Sequence, residues 1–177
     1  MIITLKQYQE IQKLQKKHKD TEQLGIETLR LITGKDIKQI SLEESEEILN
    51  AVHKELDMKD FPLVHRFKQD GVSFGFIPNL EDITVGEFID LEALFKQDDL
   101  QLEQIMSILY RPVKKKWFKT YSIQEYTGSD KYIETYLKTD FKIILGAVVF
   151  FWTLRKSLLN HLDTYTHQTS MKNQTIA

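Results

Sequence analysis

The chain contains no cysteine. That absence excludes a disulfide framework, a thiol nucleophile and the common cysteine-based zinc sites. Glycine and proline are also scarce, seven and three among 177 residues, too few for a low-complexity chain or for the many tight turns of an all-β fold. Helix is the expected majority. No charge of one sign dominates: 24 basic and 26 acidic residues leave a formal net charge of -2. No global field therefore draws the molecule to nucleic acid or to an anionic membrane. Long hydrophobic runs are missing too. The longest, 143 to 154, is 12 residues with interruptions at Gly146 and Thr153, against roughly 18 or more needed to cross a bilayer, and it reads as a buried core helix. The first residues, Met1-Ile2-Ile3-Thr4-Leu5-Lys6, turn polar early and carry no small-residue cleavage site, so no secretion signal is expected.

What is present is a globular composition, 41% hydrophobic and 11% aromatic, in a chain long enough to bury roughly 70% of its unfolded surface. Helix starts are written in capping boxes, where one side chain accepts a backbone N–H of the first turn and another reaches back to the cap. Thr4 with Gln7, Ser41 with Glu44 and Thr84 with Glu87 have this register. They open helices whose apolar stripes are Leu5, Tyr8, Ile11 and Leu14, then Ile48, Leu49, Val52 and Leu56, then the segment from Val85 to Lys96. Another helix runs from about Asp20 to Gly34, which suits a left-handed C-terminal position. Asp70-Gly71 between the alternating segments Val64 to Lys68 and Val72 to Phe76 predicts a β-hairpin with a type I′ turn. A helix from Asp99 to Tyr110 is expected to stop at Arg111-Pro112, because proline disfavours helical geometry in the residue before it. The stretch from Arg111 to Lys119 reads as a loop, short polar helices follow Ser122 and Ser129, and Asp140 opens a long final helix. The expected fold is mainly α, a multi-helix orthogonal bundle around a central apolar C-terminal helix with one small β-hairpin. Residues 1–58 form an N-terminal helical unit, 59–163 the hairpin plus helical core, and 164–177 a flexible tail, expected parts of one compact domain by length.

Reactive constellations are hard to find. Gly34, Gly71 and Gly128 punctuate helices and turns, and no phosphate-binding glycine pattern can be written with their spacings. His18, His53, His65, His161 and His167 lie far apart, without the four-residue helical spacing of a zinc pair. The acidic pairs Glu81-Asp82, Asp90 with Glu92 and Asp98-Asp99 stand mostly before helices, where carboxylates satisfy free N–H groups and the helix dipole. No catalytic residue, cofactor site or metal site is therefore expected, and the chain is read as a non-enzyme. The best candidate surface is the segment from Arg111 to Lys119. Lys114, Lys115 and Lys116 could neutralise an anion, and Trp117 and Phe118 could anchor a protein contact. Tyr8, Phe76, Tyr110 and Arg111 complete the candidate contact set. One short basic stretch on a slightly acidic chain is weak electrostatics for nucleic acid.

Three segments resemble small tail-assembly proteins of tailed phages, particularly the type found in phages of Bacteroidetes. They are Leu29-Arg30-Leu31-Ile32-Thr33-Gly34 followed by Ile40-Ser41-Leu42-Glu43-Glu44; Phe74-Gly75-Phe76-Ile77-Pro78-Asn79-Leu80 with Ile83 to Glu92; and Met106 to Pro112 with Leu145 to Phe151. The resemblance implies a tail-assembly chaperone-like protein that binds no cofactor, catalyses nothing and acts through contacts with other phage tail or neck proteins in the host cytoplasm. Self-association would fit the same family; a membrane would not. Family chaperones are often more acidic, so a structural subunit of a neck or tail ring is the alternative, and a nucleic-acid-binding accessory protein the second.

Overall fold

A computed structural model describes residues 1–78, 83–117 and 120–153 of the chain. Helices α1 (Leu5–Lys17), α2 (Thr21–Thr33) and α3 (Leu42–Leu56) come first, with a 3-10 turn (Ile37–Gln39) between the last two. Strands β1 (Arg66–Gln69) and β2 (Val72–Phe76), helices α4 (Val85–Phe95) and α5 (Leu102–Leu109), strands β3 (Tyr110–Trp117) and β4 (Thr120–Ile123) and helix α6 (Ile133–Leu137) follow. A last helix, α7, occupies 141 to 153, where the described residues end. The fold is mixed α/β, not a helical bundle with one hairpin, because the four strands join in a single antiparallel sheet of order β1-β2-β3-β4.

The helix starts are chemically explicit. Thr4 and Thr84 each accept from the backbone N–H three residues on, and Gln7 and Glu87 return the bond to the cap backbone at 3.0 and 2.7 Å. Asp20 and Ser41 cap α2 and α3, and Gly34 closes α2 with φ 66°. The cap expected from Asp98 and Asp99 is not made: Gln101 stands at the start of α5 and gives no side-chain bond. Apolar faces of α1 to α3 meet α7 through a cluster of Ile3, Ile11, Val52 and Phe141. Tyr8 stacks on Phe141 at 4.8 Å. An isolated bridge pairs Thr4 with Asp140, with Leu5 N–H donating to the Thr139 carbonyl at 2.8 Å.

In the β1–β2 turn, Asp70 and Gly71 both have positive φ, 48° and 80°, as a type I′ turn requires. Phe67, Phe74 and Pro112 share one face of the sheet, as do Phe76 and Tyr110. Side chains of opposed residues point the same way, so these rings pack together on α5, α6 and α7; Phe76 lies 5.2 Å from Tyr110 and 5.6 Å from Phe150. On the other face Gly75 leaves room for Tyr121. A Cβ there would stand 2.4 Å from that ring, whose hydroxyl donates to the Phe76 carbonyl at 2.7 Å.

The segment expected to be a loop from Arg111 is instead strand β3, and Ser122, expected to cap a helix, lies in β4. Tyr110 leaves α5 directly into the strand, and Pro112 is accommodated beside a register shift between Val113 and Lys115. A bulge of this kind is where an inner strand tolerates a missing N–H. Helix α7 is not covered all round either. Ile144, Ala147, Val148 and Phe151 are buried, while Val149 and Trp152 keep half and 42% of their surface exposed.

The hydrogen-bonded tyrosines are expected to make stability fall in alkali. Burial holds the hydroxyls of Tyr110 and Tyr136 well above the ordinary value of 10.0, and at Tyr126 burial is reinforced by its bond to Asp90. Their hydroxyls donate to the Val64 carbonyl (2.6 Å), the Tyr110 carbonyl (2.7 Å) and Asp90 Oδ2 (2.6 Å). A group whose folded pKa is raised contributes stability fully present below its unfolded pKa and lost as pH rises toward the folded one. Stability is therefore expected to be flat up to about pH 10 and to decline above it. Tyrosinate absorbance should appear together with loss of near-UV circular dichroism. Full tyrosine ionisation in a still-folded chain would contradict this.

Candidate interaction surface

The residues selected from sequence are not gathered in one place. Phe76 and Tyr110 are buried in the sheet core, at 2% and 0% exposure. Tyr8 is half-buried against Phe141 and lines a cleft with Lys13, Lys16, Asp98 and Asp99. Lys114 and Lys115 are exposed on β3, Lys114 at 3.6 Å from Glu125. The side chains of Lys116 and Trp117, and the whole of Phe118, lie outside the described residues, as do Glu81, Asp82, His161 and His167.

Arg111 is buried for a specific reason. It stands opposite Gly75 in the sheet, and its Nη1 donates to Glu87 Oε1 from the first turn of α4. Glu87 is itself buried, and its other oxygen takes the Thr84 N–H and hydroxyl at 2.7 and 2.8 Å. One carboxylate thus completes a capping box and neutralises a buried guanidinium, tying α4 to the central strand. Arg111 also borders a small cavity of about 10 Å³ with Ser107, Tyr126, Lys131 and Tyr132. Ser107 and Tyr126 are already hydrogen-bonded there, to the Lys131 carbonyl and to Asp90. The group is suited to joining elements. Among the described residues no cluster of three or more His, Asp or Glu is placed to hold a metal ion, and no helix is long and apolar enough to cross a membrane.

Exposed apolar side chains collect on α4 and α7. The inner side of α4 carries Glu87, Leu91 and Leu94, all buried. Its outer side carries Val85, Phe88 and Ile89 with 76%, 43% and 58% of their surface open to solvent. At the far end of the helix Phe95 stacks on Phe151 at 5.1 Å and meets Trp152 edge-on at 5.2 Å, so α4 is clamped to the helix that also exposes Val149. Contiguous exposed apolar side chains on a well-held element are the mark of a contact surface. The sequence did contain a signal for it: Val85, Phe88, Ile89, Leu91, Leu94 and Phe95 cover more of an eleven-residue helix than one buried stripe needs.

No protein-family model, curated protein or solved structure matches this chain.

Proposed function

We propose that this chain is a non-enzymatic morphogenesis protein of tailed phages, resembling tail-assembly chaperones and acting by protein-protein contact with tail or neck components. The outer side of α4 carries the proposal: Val85, Phe88 and Ile89 are exposed on a helix fixed from behind by Glu87, Leu91, Leu94 and Phe95. A rigidly held aromatic such as Phe88 is the kind of anchor found at interface cores, where truncating a hot spot costs about 2 kcal/mol or more. The resemblance of Leu29 to Gly34 with Ile40 to Glu44, of Phe74 to Leu80 with Ile83 to Glu92, and of Met106 to Pro112 with Leu145 to Phe151 supports the phage context.

The test replaces Phe88 and Ile89 together by serine in the infecting phage. Both side chains are largely exposed, so the purified variant should melt close to the parent. Assembled tails are expected to drop by at least about tenfold, the loss corresponding to a single anchor of this size. Unchanged tail yield with the double variant would sink the proposal. Mass spectrometry of purified particles then separates the two structural roles, since a transient chaperone leaves the finished particle and a ring subunit stays in it.

A further inference from the structure

A second surface, far from α4 in sequence, has a different chemistry. Helices α2 and α3 and the 3-10 turn between them form an open, largely apolar groove of about 470 Å³, lined by Ile26, Leu29, Ile37, Ile40, Leu42 and Leu49. Leu42, in the first turn of α3, is 78% exposed at its edge. Gly25 faces the groove from α2, where even a Cβ would come 3.6 Å from Leu49 and narrow it. The lining residues recur at three and four positions along both helices: Glu22, Gly25, Ile26 and Leu29 on α2, and Leu42, Ser45 and Leu49 on α3. Such rows are the ridges between which another helix packs. No sheet edge lies in this wall, so an added strand would find no ladder to extend.

The rim decides the charge of the occupant. Glu22 lines the groove, and Glu46, four residues after Leu42 and three before Leu49, stands exposed beside it on α3; neither is ion-paired among the described residues. The nearby cations are largely occupied: Arg30 pairs with Glu27 at 3.0 Å and Lys35 with Glu44 at 2.9 Å, which leaves Lys38 on the 3-10 turn. This chain's own described helices do not supply a match. The basic helix α1 has its apolar anchors Leu5 and Ile11 fully committed to the interior, and the exposed stripe of α4 is accompanied by Asp90 and Glu92.

Resting on the reading of this chain as a protein-contact protein, we propose that the α2–α3 groove receives an amphipathic helix of a partner protein, with lysine or arginine flanking its apolar stripe. Apolar anchors fill the groove beside Leu42 and Leu49, and the basic flanks meet Glu22 and Glu46.

The probe is a synthetic, fluorescently labelled helical peptide with leucine at positions i, i+3, i+4 and i+7 and lysine on both flanks, compared with a twin carrying glutamate for lysine. Fluorescence anisotropy with the full chain is expected to give saturable binding of the lysine peptide, with the glutamate twin weaker by about tenfold or more. Leu42→Ser should weaken the lysine peptide by about tenfold. Glu22→Lys with Glu46→Lys should weaken it further and flatten its salt dependence. All three positions are exposed, and unchanged circular dichroism confirms that folding is intact. Equal affinity for the two peptides, indifference to Leu42→Ser, or no binding overturns the proposal. Phe88→Ser should leave peptide affinity untouched; if the peptide fails to bind while the α4 variant still blocks tail assembly, the groove alone is refuted.

Discussion

Arg111→Met is expected to lower folding stability by about 3–5 kcal/mol, the usual cost of removing one partner from a buried ion pair. The pair is buried from both sides, with side-chain exposure of 10% for Arg111 and 2% for Glu87. Methionine replaces most of the aliphatic stem but none of the charge. Glu87 would keep its two bonds from Thr84 on one oxygen while the other lost its donor inside the protein. Urea denaturation should register a lower midpoint at nearly unchanged slope, the signature of lost stability without a change in exposed surface. An exposed ion pair contributes only about 0–1 kcal/mol, so a loss below that level would mean that the pair is effectively solvated. The double variant Glu87→Met with Arg111→Met offers a further check. It removes both charges, loses half of one capping box at about 1 kcal/mol, and should be more stable than Arg111→Met alone.

The second large effect is expected at Gly146, where the sign runs against propensity. In an exposed helix interior, alanine for glycine gains about 1 kcal/mol. In α7 the added Cβ would lie 2.5 Å from the Pro62 carbonyl oxygen, 3.1 Å from that of Phe61 and 3.2 Å from the Pro62 carbonyl carbon. These are backbone atoms, and they cannot rotate aside as a side chain would. Gly146→Ala should therefore destabilise by about 1–3 kcal/mol, the range for overpacking a filled interior. Gly86→Ala is the control: nothing lies within 4 Å of its added Cβ, and it should be neutral or stabilising by about 0.4–1 kcal/mol. Equal responses at the two glycines would mean that 61–62 does not press on α7.

Part of the local chemistry was legible in the sequence, although the caps expected at Asp98, Asp99 and Ser122 are not made and Ser41 with Glu44 forms only half of a capping box. Thr4 with Gln7 and Thr84 with Glu87 need only one helical turn to find each other, and Asp70-Gly71 needs only its own backbone. What the chain could not disclose locally was β3. Arg111-Pro112 and three consecutive lysines read as irregular, and the strand exists because Phe74 to Phe76, on the far side of α4 and α5, hold it in register. That missing strand hid the sheet, and with it the mixed architecture. It also hid the direction of the candidate side chains. Phe76 and Tyr110 are attractive anchors until they are seen opposite each other on the inner face, and the basic stretch gains its Arg111–Glu87 tie only when β3 lies beside β2. For Glu87 the capping role was readable and the second partner was not, because it sits across a tertiary contact.

The pairing of β2 with β3 is also the contact expected to form last as this molecule folds. The outer joints, β1 with β2 and β3 with β4, pair strands that are close neighbours in sequence, and hairpins form within roughly 1–10 μs. The central joint must wait until the chain between Phe76 and Tyr110 has been drawn back on itself, and such distant pairings are the slow ones. The two halves of the sheet are thus expected to form quickly and to join slowly, along Phe74, Gly75 and Phe76.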